Sequence, residues 1–250
     1  TGGTNRCTLH IHPEDAERLG LKDGAVREVA ASPMWRRTLL IGDSFTEGIG
    51  LSFEETFAGM LHRAGQERPE KIEFLNAGVS SYSPIIHYKK IKHLLDSGIR
   101  LDEVVVFSDP SDVQDEATSY FCFDDDPKYR SYCEPDDSLP PWAKKKSFLE
   151  SYLVVTNATG MQLKAAFTSR PPKRTDMDVS RIGWLRPDAE VERTYSPLGV
   201  EGGIARSLQN MQALESLLKE RNIPLTIAVY PWVSQLVEGD RDNRQISLWR

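Results

Sequence analysis

Residues that could do chemistry follow three apolar runs of this sequence. Gly42–Ser44 comes directly after "TLLI", Asn76–Ser80 after "IEFL", and Asp109–Asp112 after "VVVFS". A serine hydroxyl becomes an effective nucleophile only when a neighbouring base takes its proton, and the oxyanion formed on attack must meet preorganised hydrogen-bond donors. Ser44, with donors from the other two segments, has the residue types that acyl transfer needs.

Ser44 also has a simpler interpretation as a helix cap. Ser44 and Glu47 stand at the spacing of a capping box, in which a serine side chain starts a helix by accepting a backbone N–H. A serine at a helix start can equally offer its own N–H to an anion, with the helix dipole in favour. If the segments Asn76–Ser80 and Asp109–Asp112 lie close to Ser44, the nucleophile interpretation is favoured over the helix cap. Asp43 is expected to shape the turn.

Apolar runs and amphipathic segments alternate from Thr38 onward. "TLLIG", "IEFLNAG" and "DEVVVFSD" predict three buried strands, and the segments between them predict helices. Strands rich in Val, Ile and Leu that alternate with helices predict a parallel sheet covered on both faces. The inward positions are predicted to be Phe53, Phe57, Met60 and Leu61 in the first helix and Ile85, Tyr88, Ile91, Leu94 and Leu95 in the second.

Residues 113 to about 200 interrupt this alternation with polar and turn-rich stretches such as "DDDPKYRSYCEPDDSLPP". We interpret them as a large insertion over one end of the sheet. A last helix in "GGIARSLQNMQALESLLKERN" and a strand in "IPLTIAVYP" follow. The predicted fold class is α/β, a parallel sheet with strand order 2-1-3-4, whose carboxyl edge brings the polar segments together.

The ordered set of segments from about residue 36 to residue 250 resembles the GDSL, or SGNH, family of serine hydrolases. "IGDSFTEG" is similar to the first block of that family, which implies that Ser44 is the nucleophile. "LNAGVSSYS" is similar to the second block, which implies an oxyanion-hole N–H from Gly78. The resemblance implies a flavodoxin-like three-layer α/β/α sandwich, the SGNH hydrolase fold, and an esterase or carbohydrate acetylesterase without a cofactor.

Two departures from the family pattern concern the site itself. "VVVFSDPSDVQDE" lies where the third block lies, and Ser111 stands where the family has an asparagine donor, with Asp109 where a glycine is usual. A serine hydroxyl is shorter and rotates freely, so we expect Ser111 to be a weaker donor. The family also takes its Asp and His from a D-x-x-H motif, and the sequence contains none.

The missing motif is expected to reflect a C-terminally incomplete domain that lacks a fifth strand and its general base. His87 and His93 fall on a predicted helix and are expected on its surface. The five histidines of the sequence are His10, His12, His62, His87 and His93.

Residues 1–33 differ in pattern and are interpreted as a leader or remnant, with residues 34–250 forming the hydrolase-like domain. The stretch from residue 7 to residue 29 is similar to a segment of the dinucleotide-binding domain of molybdopterin oxidoreductases, carried by "HPEDA", "LG" and "DG". It has no signal-sequence pattern, which favours a cytoplasmic location.

Composition excludes several other classes of protein. The net charge of −6 and the scattered basic residues argue against nucleic-acid binding, and no apolar run reaches the ~20 residues of a membrane span. Cys122 and Cys133 could form a disulfide or remain free thiols. Asp112, Asp115 and Glu116 could mimic a metal site, but such acidic loops are more often solvated or cap a helix, and no metal is predicted.

The sequence therefore predicts a serine ester hydrolase that works through an acyl-enzyme on Ser44, with Gly78 and Ser111 as oxyanion donors. Its predicted partner is a small-molecule or glycan ester. The alternative is a non-hydrolytic glycan-binding or acetyl-transfer accessory protein of the same architecture, without a catalytic base.

Overall fold

The computed structural model describes residues 6–7, 29–122, 181–185, 189–232, 235–236 and 244–250. Four parallel strands form its main sheet in the order β4-β3-β5-β6, which confirms the predicted order 2-1-3-4. The strands are β1 (Arg6–Cys7), β2 (Val29–Ala30), β3 (Arg36–Ile41), β4 (Ile72–Asn76), β5 (Glu103–Ser108) and β6 (Leu225–Val229).

Helices connect these strands and cover the sheet. The α-helices are α1 (Ser44–Glu47), α2 (Phe57–Gln66), α3 (Pro84–Asp96), α4 (Asp112–Thr118), α5 (Ala189–Thr194), α6 (Gly199–Lys219) and α7 (Arg244–Leu248), with 3-10 turns at Phe53–Glu55 and Gly183–Leu185. α4 begins four residues after the end of β5, so the first part of the predicted insertion is regular structure. Residues 123–180 of that insertion lie outside the described residues.

Side-chain alternation along the strands builds a core on each face of the sheet. On one face, Leu39 of β3 and Val104 of β5 pack with residues of α3 and α6 such as Ile91. On the other face, the ring of Phe57 in α2 lies 4.9 Å from that of Phe107 in β5. Helices on both faces confirm the predicted α/β/α sandwich.

The apolar faces of α3 and α6 confirm the sequence prediction, whereas that of α2 does so only in part. Met60 and Leu61 are 52% and 40% exposed. Thr56 interrupts the predicted helical spacing because its backbone is extended, with φ −71° and ψ 157°. Phe53 therefore belongs to a separate 3-10 turn, and the predicted face is not continuous.

His87 corrects the prediction of a surface position. It is fully buried, and His93 is exposed as predicted. His87 lies four residues before Ile91 and three after Pro84, so all three share the inward face of α3. The buried face of α3 therefore includes a histidine in addition to the apolar residues from which it was predicted.

The short strands β1 and β2 pair antiparallel, with Cys7 opposite Val29. The Arg100 N–H donates to the Ala31 carbonyl at 2.9 Å, which ties the residues after β2 to the main body. Residues 8–28, which carry most of the molybdopterin resemblance, lie outside the described residues. Cys122 is disulfide-bonded, and Cys133, its candidate partner in the sequence, lies outside the described residues. Among the helices that are described, none is both long and apolar enough to cross a membrane.

Candidate active site

Ser44 is the first residue of α1, and it does not cap that helix. The N-cap is Asp43, whose Oδ1 accepts the Phe45 N–H at 3.0 Å. Glu47, which a capping box would use, instead accepts the N–H of Ser80 at 2.8 Å. The cap interpretation of Ser44 is therefore wrong, because Asp43 satisfies the helix end.

The Ser44 turn lies at the carboxyl edge of the parallel sheet, where a cavity of about 190 Å³ opens. Ser44 and Ser111, two of the three predicted site residues, both line it. Among the described residues, the cavity is lined by Asp43, Ser44, Phe45, Ser80, Ser81, Ser111, Arg181 and Trp232. A larger cavity of about 720 Å³ lies between α6, β6 and the last residues, and it contains none of the predicted site residues.

Gly78, the third predicted site residue, does not line this cavity. Its N–H donates to the side chain of Asn76 at 2.9 Å. A Cβ added at Gly78 would lie 2.5 Å from the Glu47 nitrogen, so the glycine lets this loop pack directly on α1. Its role as an oxyanion donor stays a prediction.

Ser80 and Ser81 reach the cavity from the same loop, and sequence reasoning did not single them out. Ser81 has a positive φ of 61°, which is uncommon outside glycine. Their position two and three residues after Gly78 was the available signal, since the matched segment "LNAGVSSYS" contains both.

Ser111 is held in place by Asp109. The Ser111 N–H donates to Asp109 Oδ1 at 2.6 Å, and Ser111 is only 4% exposed. Ser111 precedes α4 without a side-chain cap bond to it. Asp109 thus supports the turn that carries Ser111.

Two aromatic residues after β6 join the turns of β3 and β5. The Tyr230 hydroxyl oxygen lies 2.7 Å from Asp43 Oδ1 and 3.0 Å from Asp109 Oδ2. The indole N–H of Trp232 donates to the same Asp109 oxygen at 2.6 Å. The sequence indicated a strand in "IAVYPW" and Trp232 as a residue of either a substrate cleft or the core, but not the partners of the two side chains, which lie more than a hundred residues away.

Comparisons with known proteins place esterases of the SGNH family among the structural neighbours. No family model matches the sequence, and no curated protein matches it. A single-site mutant of the esterase AlinE4 is 15% identical with a TM-score of 0.39, and the match covers 78% of this chain and 59% of that one. This chain therefore spans less than two thirds of that neighbour.

Two further structures show comparable similarity. AlinE4 itself, an SGNH-hydrolase family esterase, is 17% identical with a TM-score of 0.31, over 84% of this chain and 82% of that one. A G-D-S-L family protein from Desulfitobacterium hafniense DCB-2 is 17% identical with a TM-score of 0.26, over 76% of each chain. The molybdopterin resemblance of residues 7–29 finds no support in these comparisons. The fold assignment rests on the sheet order and the two helical layers.

Buried carboxyl groups concentrate around the Ser44 turn. Burial, with the charge of Asp109, raises the pKa of Asp43 to about 6. Burial and the neighbouring Asp109 and Asp43 also raise the pKa of Asp112 well above its usual value. Burial raises the pKa of Asp115 to about 7, although Arg181 Nη2 lies 2.7 Å from its Oδ2 and opposes the shift.

Of the two alternatives for the acidic loop, solvated or capping the next helix, the solvated one is wrong for Asp112 and Glu116. Both are almost fully buried, at 1% and 0% exposure. Asp112 Oδ2 accepts the Ser108 hydroxyl at 3.0 Å, and Glu116 accepts the N–H of Ile85 at 2.7 Å. These hydrogen bonds replace water as partners of the carboxyl oxygens. No cluster of three or more His, Cys, Asp or Glu side chains within the described ranges is arranged to hold a metal ion.

The described histidines do not supply a base at the cavity, because none of them lines it. His62 accepts the Phe74 N–H through Nδ1 at 3.3 Å and serves the packing of α2 on β4. Burial, assisted by the charge of Lys90, lowers the pKa of His87 to about 3. His87 is therefore a neutral core residue at physiological pH.

Proposed function

We propose that this protein is a serine ester hydrolase in which Ser44 attacks the carbonyl of a carboxylic ester. One observation carries the proposal: Ser44 is relieved of capping by Asp43 and lines a cavity together with Ser111 at the carboxyl edge of the sheet. In open α/β sheets this edge is where ligands bind. A serine used only to start a helix would have its hydroxyl on a backbone N–H of that helix.

The reaction proceeds through two steps. The Ser44 oxygen bonds to the carbonyl carbon, the alcohol leaves, and water then cleaves the resulting acyl-enzyme. The Ser44 N–H, at the positive end of α1, and the Ser111 hydroxyl are the proposed donors to the oxyanion, with Gly78 retained from the sequence prediction. The proton of Ser44 passes to a base that we place outside the described residues, and that base gives it to the alcohol oxygen as the C–O bond of the ester breaks.

The size of the cavity favours a small acyl group. Its volume of about 190 Å³ is below the ~300–1,000 Å³ of pockets that enclose a drug-sized ligand. An acetyl or similarly short acyl chain fits such a space, while the alcohol portion extends into solvent. Acetylated sugars and other small acyl esters are therefore the proposed substrates.

A second candidate function is a non-hydrolytic glycan-binding or acetyl-transfer accessory protein. One observation favours it: the cavity lining has no histidine among the described residues. Such a protein would bind an acylated ligand, or accept an acyl group, without releasing it to water.

Labelling with a fluorophosphonate probe, combined with p-nitrophenyl acetate hydrolysis, tests both functions. We expect labelling and turnover in the wild-type protein, loss of both in Ser44→Ala, and retention of both in Ser97→Ala. Ser97 lies at the far end of α3, away from the cavity, and is a matched control. Labelling without turnover favours the accessory function, whereas labelling that persists in Ser44→Ala contradicts the proposed role of Ser44 as the nucleophile.

A further inference from the structure

The Tyr230 hydroxyl is in contact with two carboxyl groups at once. Its oxygen lies 2.7 Å from Asp43 Oδ1 and 3.0 Å from Asp109 Oδ2. A phenol has one proton to donate, and an ionised carboxylate can only accept. The single phenolic proton can make a full hydrogen bond to only one of the two carboxyls, so the second contact is a full hydrogen bond when the other carboxyl carries a proton and donates it to the Tyr230 oxygen.

The hydrogen bonds around the two carboxyls show which one holds that proton. Asp109 receives the Ser111 N–H on Oδ1 at 2.6 Å and the Trp232 indole N–H on Oδ2 at 2.6 Å. Several donors converging on one carboxyl stabilise its ionised form. Among the described residues, the Phe45 N–H and the Tyr230 hydroxyl contact Asp43. Its carboxyl also lies against that of Asp109, and burial together with that neighbour raises the pKa of Asp43. Asp43 therefore holds the proton, and Tyr230 donates its own to Asp109.

The same two carboxyls fix the backbone on either side of the cavity. Asp43 holds the first turn of α1, which carries Ser44, and Asp109 holds the turn that carries Ser111. The Tyr230 ring also packs against Phe45, with centroids 5.2 Å apart. Tyr230 is thus the direct link between the two sides of the proposed oxyanion site.

We propose that Tyr230 is a positioning residue for Ser44, acting through a proton that Asp43 shares with Asp109 across its hydroxyl. The effect of Tyr230 on the reactivity of Ser44 rests on the proposed function. The proton shared by the two carboxyls is independent of that function. The inference names a residue outside the three matched segments, and it assigns Asp43 a protonated state below its raised pKa of about 6.

Other charged groups around the network set how the proton responds to pH. Asp112 accepts the Asp109 N–H at 3.1 Å and adds a third buried carboxyl next to the pair. Arg181 is the cationic side chain in the described cavity lining, and Asp115 pairs with it. When Asp43 loses its proton, the Tyr230 hydroxyl can donate a full hydrogen bond to only one carboxylate, and the negative charges of Asp43 and Asp109 repel each other. We therefore expect the Ser44 turn to loosen as the pH rises.

Two variants separate the roles in the network. Tyr230→Phe keeps the ring and removes the hydroxyl. Asp43→Asn keeps the shape of the side chain and cannot ionise; at the position of Oδ1 its amide either donates to the Tyr230 oxygen or accepts the Phe45 N–H, so the variant is the reference without a titrating group at this position. Tyr88→Phe, on α3 in the main core, removes a hydroxyl that has no hydrogen-bond partner among the described residues and is the control.

The first measurement detects the proton without relying on activity. Infrared difference spectra of protein carrying ¹³C-labelled aspartate should show a protonated-carboxyl C=O band in the wild type that is missing in Asp43→Asn. Hydrogen exchange at the Phe45 amide should be at least tenfold faster in Tyr230→Phe than in the wild type and unchanged in Tyr88→Phe. Absence of the Asp43 band, or unchanged exchange in Tyr230→Phe, overturns the inference.

The second measurement connects the proton to Ser44. The rate of fluorophosphonate labelling is followed from pH 4.5 to pH 8, and the ratio of wild-type to Asp43→Asn rates removes the titration of any base common to both. We expect this ratio to fall at least threefold with rising pH and Tyr230→Phe to label at least tenfold more slowly at pH 5. A ratio that stays constant overturns the positioning role. No labelling in any variant, with the infrared band and the exchange difference present, contradicts the proposed function instead.

Discussion

The side chain of Asn76 accepts the backbone N–H of Gly78 at 2.9 Å. Its amide nitrogen also donates to the Thr46 carbonyl at 2.7 Å, so one side chain joins the loop after β4 to α1. This arrangement holds the Gly78 loop against the helix that carries Ser44. The Gly78 N–H can therefore donate to an oxyanion only if it breaks its hydrogen bond to the Asn76 oxygen or is shared between the two acceptors.

We expect Asn76→Asp to destabilise the protein by about 1–3 kcal/mol, because the substitution replaces a donor to Thr46 with an acceptor that repels its carbonyl. Urea unfolding at pH 7 measures the change in the free energy of unfolding. Asn222→Asp is the control, since Asn222 is exposed with φ 56° and aspartate tolerates that backbone. Equal effects of the two substitutions would contradict the proposed link between Asn76 and α1.

Gly78→Ala is expected to cost more than 2 kcal/mol and to slow labelling of Ser44. The added Cβ would meet backbone of α1, 2.5 Å from the Glu47 nitrogen and 2.7 Å from the Thr46 carbonyl carbon. Gly98→Ala provides the comparison, because it has φ +84° but nothing within 4 Å of the added Cβ. That variant should lose only the ~1–2 kcal/mol of left-handed backbone strain and label normally.

Ser111 substitutions test whether its hydroxyl contributes to the oxyanion site. Removal of a strong donor lowers kcat by ~10²- to 10³-fold, so we expect a smaller loss of about tenfold in Ser111→Ala. Ser111→Asn should raise kcat above that of the alanine variant, because its amide is a donor with a fixed direction. The measurement is p-nitrophenyl acetate hydrolysis, with KM and kcat determined separately. Wild-type kcat in Ser111→Ala would remove Ser111 from the site.

Burial of His87 predicts a loss of stability in acid. Its pKa is about 3 in the folded state and 6.5 in its unperturbed state, so the unfolded chain binds more protons between these values. The contribution of His87 to stability is therefore complete above pH 6.5 and falls as the pH decreases. The total loss by pH 3 is roughly 4 kcal/mol, since one pKa unit is worth about 1.4 kcal/mol.

Urea unfolding between pH 7 and pH 3.5 measures this loss of stability. Comparing variants separates the contribution of His87 from that of the buried carboxyl groups, which is common to all of them. His87→Phe should flatten the acid dependence, whereas His93→Gln, at an exposed position, should retain it. If His87→Phe loses stability in acid as steeply as the wild type, the neutral buried state of His87 is wrong.

Much of the fold could be predicted because local patterns decide it. Runs such as "TLLI" and "VVVFS" must be buried on both faces, and parallel strands place their carboxyl ends at one edge. The strand order and the meeting of Ser44 with Ser111 follow from that geometry. The face of α2 was mispredicted because a single extended residue, Thr56, breaks a spacing that looks continuous in the sequence.

The sequence by itself determined the α/β architecture and the turn that presents Ser44. Only the tertiary structure decided that Asp43 caps α1, that His87 is buried, and that Tyr230 bridges Asp43 and Asp109. The Tyr230–Asp43 contact joins residues 187 positions apart. The spacing of apolar residues in one segment indicates which of its faces is buried. A contact between distant residues, and a proton shared across it, forms only when the strands β3, β5 and β6 lie side by side in the folded sheet.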